Sequence, residues 1–136
     1  MVALNSTAIE QKVTKMTEKL FSSEIRIMEL LWENGEMSAK ELAAALLKSV
    51  GWSKTTTYTV IKKCVEKGAV LRTAPGFICK AAVTKNEVQE SEAFDLVDRL
   101  FGGSPDLLVS ALIGSGKISS DQLKNLREMV KKMEEE

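Results

Sequence analysis

The chain has 136 residues, 44% of them hydrophobic, and its 19 basic and 19 acidic side chains cancel to a net charge of zero. This length and composition support one ordinary domain, or a small domain with an appendage for subunit contact, and argue against global disorder. The sequence contains no histidine, which removes the commonest general base and metal ligand and so disfavours most catalytic sites.

The sequence offers no sign of a membrane segment or of a bound metal. No apolar run approaches the ~20 residues that a membrane-spanning helix needs, and the N-terminal residues lack the apolar stretch of a signal peptide. Cys64 and Cys79 are too few and too far apart for a zinc motif. We therefore expect a cytoplasmic protein with no membrane partner, no metal and no cofactor.

The two cysteines invite different interpretations. Cys64 recurs with apolar residues at helical spacing, and we expect it to pack as a small hydrophobic side chain. Cys79 lies in a β-prone run, where it is either a packed strand residue or a thiol that senses oxidants.

Residues 1–20 form a polar segment with apolar residues at spacings of four, three and four. This spacing is that of an amphipathic helix, but a frayed N-terminal arm fits the composition equally well. Both interpretations stay open.

Three short helices are predicted in the next part of the chain. The first spans about residues 23–33, and the second opens with a capping box of Ser38 and Glu41. The third spans residues 53–67, with Ser53 as its N-cap and the following glycine as the left-handed residue that closes it.

The third helix has one apolar stripe and one basic face. The stripe is predicted to consist of Thr57, Val60, Ile61, Cys64 and Val65. The opposite face has cations suited to phosphates, and hydroxyls and an aromatic ring suited to base edges. Its residues are Lys54, Thr55, Tyr58, Thr59, Lys62 and Lys63.

Charge is distributed unevenly along the chain. Residues 48–85 carry eight basic side chains and one acidic side chain. Residues 1–85 have a net charge of +5 and residues 86–136 a net charge of −5. A solvated surface explains many lysine-bearing helices, but this one-sided charge favours a polyanionic partner for the first part.

A predicted β-hairpin follows the third helix. Its β-prone runs, residues 69–72 and 77–81, flank a turn at Pro75-Gly76. Three helices followed at once by a hairpin form a winged helix-turn-helix. We therefore predict a mainly α protein with a winged-helix DNA-binding domain over residues 21–83, in which residues 70–81 form the wing.

Residues 84–136 are predicted to form three further helices, which open near Thr84, Pro105 and Ser119. Their apolar residues either cover the winged helix or intertwine with a second copy of the chain, and we favour a helical dimerisation region. The candidate contact residues are Leu96, Leu100, Phe101, Leu107, Leu108, Leu112, Leu123 and Leu126.

An ordered series of motifs over roughly residues 20–133 resembles the penicillinase-repressor (BlaI/MecI/CopY) family. The motifs lie at residues 23–32, 38–42, 51–53, 58–61, 65–69 and 100–104, and in the closing helix with Leu123, Leu126 and Arg127. The resemblance implies a winged-helix homodimer that binds a palindromic operator on double-stranded DNA and represses transcription. By motif position, the implied DNA-facing residues are Thr55, Thr56, Tyr58, Thr59 and Lys63, with Lys62 and Arg72 at the DNA backbone. Ser53 and Lys54, at the start of the same helix, complete the candidate DNA-binding residues.

The chain departs from the family pattern at two points that concern induction. Copper-responsive members carry a cysteine cluster near the C-terminus, whereas no cysteine follows Cys79 here. Members that respond to β-lactams are cleaved at an Asn-Phe bond, where this chain has Leu100-Phe101. Whether the inducer is a sensor protease or another signal stays open.

One alternative function survives at this level. A winged helix can dock proteins with the same surface, and such an interaction module would bind a partner with an acidic patch and no specific DNA. An enzyme finds no support, because the sequence shows no nucleophile–base pair, phosphate-binding loop or metal-ligand set.

Overall fold

A computed structural model describes residues 18–136. The predicted arm or extra helix over residues 1–20 therefore lies almost entirely outside the described residues. The elements, in chain order, are α1 (Ser22–Asn34), β1 (Met37–Ser38), α2 (Ala39–Val50), α3 (Lys54–Glu66), β2 (Val70–Thr73), β3 (Ile78–Ala81), α4 (Lys85–Leu100), α5 (Pro105–Gly114) and α6 (Ser120–Glu134).

The chain divides into two compact units, one ending at Glu92 and the other beginning at Ala93. This division lies within α4, which spans residues 85–100. The first turns of α4 belong to the first unit, since Val88 is buried in its core. The sequence-based boundary at 83/84 was drawn between elements instead, and the functional division into a DNA-binding and a dimerisation region stays a prediction.

Helix starts follow the capping signals in the sequence. The backbone N–H of Ser38 donates to Glu41 Oε1 at 3.0 Å, and the N–H of Glu41 donates to Ser38 Oγ at 3.0 Å. Ser53 Oγ accepts a hydrogen bond from the N–H of Thr56 at 3.1 Å and so caps α3. Each bond satisfies a donor that the first turn of a helix leaves without an intrahelical partner.

The end of α3 depends on a glycine. Gly68 has φ +81°, a conformation that a side chain disfavours. This turn lets the N–H of Ala69 donate to the carbonyl of Cys64 at 2.9 Å, which satisfies an orphan carbonyl of the helix. The chain can therefore pass from α3 into β2 within three residues.

The predicted hairpin is present as β2 and β3, but it belongs to a three-stranded antiparallel sheet of order β1-β3-β2. In the register, Cys79 of β3 is opposite both Met37 and Arg72. Sequence analysis missed β1, because two residues are too few to show a periodicity and pair only once the hairpin is in place. Three helices with this sheet confirm the winged helix and the mainly α class.

The core of the first unit lies between α1, α2, α3 and the sheet. Its fully buried side chains include Ile27, Met28, Leu42 and Ile61. The predicted stripe of α3 is buried at Thr57, Val60, Ile61 and Cys64, whereas Val65 is only partly buried.

Two side-chain contacts join α1 to the segment that follows the sheet, and one of them is the ion pair of Lys85 Nζ with Glu29 Oε2 at 3.3 Å. Trp32 Nε1 donates to the carbonyl of Val83 at 2.9 Å, across 51 residues of sequence. Trp32 is partly buried against the core, where its indole N–H is stabilised by a partner, so this bond helps to hold the start of α4 near the end of α1.

The second unit has little buried surface of its own. No residue of α5 or α6 is buried, although α5 carries leucine, valine and isoleucine over most of its length. Among the described helices, none is both long enough and apolar enough to cross a bilayer.

Packing makes a stability prediction. Leu42→Ala should lower the free energy of unfolding by about 2–5 kcal/mol, because Leu42 is completely buried and its removal leaves a cavity. Leu47→Ala on the same helix is the matched control: Leu47 is 61% exposed, so its change should stay within about 0.5 kcal/mol. Urea unfolding at one fixed protein concentration measures both, and equal losses would show that the core has been misplaced.

Candidate nucleic-acid interface

The exposed face of α3 follows from helical spacing. Thr55, Thr59 and Lys62 are separated by four and three residues and so lie along one line of the helix. Tyr58 and Lys63 flank this line, and all five side chains are exposed. We call these five residues the α3 face.

The hydroxyl groups on this part of α3 are not equivalent. Thr59 Oγ1 donates to the carbonyl of Thr55 at 2.9 Å, and Ser53 Oγ donates to Thr56 Oγ1 at 2.9 Å. Within residues 18–136, the Thr55 hydroxyl has no hydrogen-bond partner. Thr55 can therefore donate and accept towards a ligand, whereas Thr59 offers mainly its lone pairs.

The cations of α3 are available to an anion. Lys54 Nζ lies 5.6 Å from the centre of the Tyr58 ring, a cation–π distance that orders both side chains. In the described part of the chain, neither Lys62 nor Lys63 forms a salt bridge, and no acidic residue precedes Glu66 on this helix. The positive charge of the face is therefore not neutralised internally.

The wing adds a second positive element beside α3. The guanidinium carbon of Arg72 lies 5.8 Å from the centre of the Phe77 ring. Phe77 is 58% exposed and has φ +49°, so the turn holds this ring out from the sheet. Arg72 and Tyr58 line the same groove between α3 and the wing, together with Ala39, Lys40, Ile61, Gly76 and Phe77.

Two residues of this groove were missed by sequence analysis. Lys40 lies in the first turn of α2. Helical spacing shows which residues of α2 share a face with it, but not that it lies near α3 and the wing. Phe77 was taken as part of a strand, but β3 begins at Ile78. Its place after Pro75-Gly76 was the available signal for an exposed turn residue.

The nine predicted DNA-binding residues occupy different positions around this groove. The residues of the α3 face, with Lys54 and Thr56, are exposed along the helix, and Arg72 is exposed on β2. Ser53 is also exposed, but both of its side-chain bonds go to Thr56. Its established contacts are those of a helix cap.

One lysine from the basic stretch is not available to a polyanion. Lys67 Nζ lies 2.6 Å from Glu24 Oε1, and the Lys67 side chain is only 16% exposed. Sequence analysis counted it with the other cations. No local pattern indicated the pairing, because the two residues are 43 positions apart.

Neither cysteine is placed to act as a reactive thiol. Both side chains are completely buried. Burial raises the pKa of Cys64 to about 12 and raises that of Cys79 from its ordinary value. Only the thiolate is nucleophilic, so of the two interpretations of Cys79 the geometry favours the packed strand residue. Within the described residues, no group of three Cys, Asp or Glu side chains is arranged to hold a metal ion.

We expect both cysteines to resist alkylation in the native protein. At pH 8 a thiol with a pKa of about 12 is almost wholly protonated, and burial blocks the reagent. Iodoacetamide labelling followed by mass spectrometry should show little modification until denaturant is added. Rapid, selective labelling of Cys79 in the folded protein would restore the redox interpretation.

The predicted dimerisation residues lie on α4, α5, α6 and the turn after α4. Leu100, Leu107 and Leu112 are about half or more exposed. Leu123 and Leu126 of α6 line a groove with Val109 and Ile113 of α5. The remaining three, which are partly buried, are Leu96, Phe101 and Leu108. Sequence analysis did not select Phe94 of α4, which is 58% exposed.

Comparison with known proteins agrees with the motifs. The family model described as penicillinase repressor matches residues 20–132. The chain belongs to the penicillinase repressor family. This confirms the resemblance found in the sequence, and because members of the family are transcriptional regulators, it also confirms the assignment to regulation rather than catalysis.

Individual relatives are distant but match along most of their length. The penicillinase repressor of Bacillus licheniformis is 19% identical over 118 residues, which cover 85% of this chain and 92% of that protein. The methicillin resistance regulatory protein MecI of Staphylococcus aureus (strain N315) is 21% identical over 118 residues, 85% of this chain and 96% of that protein.

One solved structure was also compared. It concerns the regulation of DNA binding of Bordetella bronchiseptica BpsR by 6-hydroxynicotinic acid. It aligns over 100% of this chain and 95% of that chain, with 12% identity and a TM-score of 0.40.

Proposed function

We propose that this member of the family is a homodimeric repressor that binds a palindromic operator through α3 and the β2–β3 wing. The observation that carries the proposal is the α3 face, where exposed hydroxyls accompany lysines that form no salt bridge within residues 18–136. Tyr58 of this face lines one groove with Arg72 of the wing. Family membership supports the assignment to DNA-binding repression.

The two kinds of side chain on this surface have different tasks. Lys62, Lys63 and Arg72 neutralise phosphates, which supplies affinity without sequence information. Thr55 and Tyr58 reach base edges when α3 enters the major groove, which at about 12 Å is wide enough for a helix. Specificity then rests on the few polar atoms that α3 leaves without an internal partner.

Thr59 contributes to specificity in a directional way. Its hydroxyl proton is committed to the carbonyl of Thr55, so its oxygen mainly accepts hydrogen bonds. In the major groove, donors belong to the exocyclic amines of adenine and cytosine. Thr59 is therefore suited to those bases, whereas Thr55 accepts either kind of partner.

The second unit supplies the dimer contact. Leu107, Leu112 and Ile113 leave about half of their surface exposed in a helix with no buried residue. Apolar surface of this kind is stabilised by burial against a partner. A second copy satisfies it symmetrically and places two α3 helices on half-sites about one turn of DNA, roughly 34 Å, apart.

The decisive experiment is selection of binding sites from random duplex DNA by the purified protein. An enriched inverted repeat is expected, because a two-fold symmetric dimer reads the same half-site twice. The absence of enrichment would favour docking of an acidic protein through the same basic face.

Substitutions on the α3 face should separate affinity from specificity. Lys63→Ala should weaken binding to operator and random DNA alike and make the log–log salt slope shallower by about 0.9. Thr55→Ala or Tyr58→Ala should each reduce discrimination against random DNA by about 1–3 kcal/mol. DNA-binding titrations at several salt concentrations measure both effects. If all three variants bound operator and random DNA like the parent, α3 would not be the helix that recognises DNA.

A charge on α5 should break the dimer. Leu112→Glu should produce monomers in sedimentation experiments and weaken operator binding, because a carboxylate would be buried against the partner. Asn125→Glu adds the same charge at an exposed position of α6 that is neither three nor four residues from Leu123 or Leu126, and it should remain dimeric. An intact dimer in the Leu112 variant would exclude this face from the contact.

A further inference from the structure

A buried carboxylate, that of Glu24, lies in the first turn of α1 and contacts the C-terminal end of α3. Glu24 has no exposed surface. Its Oε1 accepts hydrogen bonds from the backbone N–H of Phe21 at 2.7 Å and from Lys67 Nζ at 2.6 Å. Its Oε2 has no partner in the part of the chain that the structure describes.

The ammonium group of Lys67 is enclosed by this region of the protein. Besides Glu24, it donates to the carbonyl oxygen of Lys19 at 2.6 Å. It also lies 4.0 Å from the centre of the Phe21 ring. With two of its donors used and an aromatic face against it, this cation is held by α1 and the residues just before it, and most of the side chain is buried.

The pair is interdependent because Glu24 is so deeply buried. A carboxylate without water is stabilised only by the groups that contact it, and here all of the contacts are made through one oxygen. Lys67 supplies the only positive charge among them in the described structure. The charge of Glu24 is therefore compensated only while the end of α3 stays against the start of α1.

The position of Lys67 in the chain gives this contact a wider effect. Lys67 is the C-cap of α3, and β2 begins three residues later at Val70. A tether at this residue restrains the last turn of α3 and the first strand of the wing at the same time. The contact with Glu24 therefore lies where it can restrain the angle between the end of α3 and the strand that carries Arg72.

We propose that Lys67 is a positioning residue for DNA binding, which sets α3 and the wing against α1 through Glu24 and makes no phosphate contact itself. This inference rests on the proposed function, since positioning matters only if α3 and the wing bind DNA together. It separates Lys67, which orients the binding surface, from Lys62, Lys63 and Arg72, which neutralise phosphate.

Salt dependence distinguishes the two roles. Lys67→Met should lower operator affinity about tenfold at fixed salt without changing the log–log salt slope, because no phosphate contact is lost. Lys63→Met, one helical turn earlier on α3, is the matched control and should make the slope shallower by about 0.9. A slope change in the Lys67 variant equal to that of the control would overturn the proposal.

Lys67→Met alone leaves the buried carboxylate of Glu24 without its cation and can impair folding. The double variant Glu24→Gln/Lys67→Met removes both charges, so no uncompensated charge remains in the core and the test stays decisive. The double variant should also bind about tenfold more weakly with the parental slope. It should lose less than the parent when Arg72→Ala is added, because its wing is already misplaced. Parental affinity, or strict additivity with Arg72→Ala, would show that the pair does not act through the wing.

Amide hydrogen exchange in the DNA-free protein separates this inference from the proposed function. Lys67→Met and the double variant should exchange faster than the parent over residues 65–70, while Lys63→Met should match the parent. If the parent selected no DNA site but this pattern appeared, the anchor would stand as a structural device and the positioning role in DNA binding would fall with the proposed function. Unchanged exchange in both Lys67 variants would refute the anchor itself.

Discussion

The burial of one stripe of α3 is the constraint on which the rest of the structure depends. Thr57, Val60, Ile61 and Cys64 pack against α1, α2 and the sheet, which stabilises the domain by removing apolar surface from water. Because a helix has only one orientation about its axis once this stripe is buried, the α3 face is directed outward. The same packing that folds the domain therefore presents the surface that we propose for DNA.

An outward-facing α3 is not sufficient to recognise DNA, because the helix must also be held at a fixed angle to the wing. The Gly68 turn and the Glu24–Lys67 pair lie at the end of α3, where the chain passes into the wing, and we propose that they restrain this angle. A buried ion pair contributes little net stability compared with apolar packing, but its geometry is demanding. Such a pair suits a place where orientation matters more than stability.

Local signals in the sequence predicted most of the helices and the hairpin, because caps, turn glycines and apolar periodicity act within a few residues. They also selected the α3 face, since spacing along a single helix determines which side chains share a side. The features that escaped prediction all depend on contacts distant in sequence. They are the short strand β1, the Glu24–Lys67 pair and the groove that brings Lys40 and Phe77 beside Tyr58. Glu24 in particular resembled any solvated acid of a first helical turn until the position of α3 was known.

The opposite net charges of the two parts of the chain agree with the proposed function, in which only the first part contacts DNA. The net charge of −5 on residues 86–136 disfavours contact of this part with DNA phosphates, whereas the net charge of +5 on residues 1–85 attracts them. Self-association and DNA binding can then use separate surfaces and reinforce each other. In the homodimer that we propose, occupation of one half-site by one α3 presents the second α3 to its own half-site at a high effective concentration, which raises affinity without any new contact. In the proposed dimer, a signal that separates the two copies would remove this gain while leaving every residue of the α3 face intact.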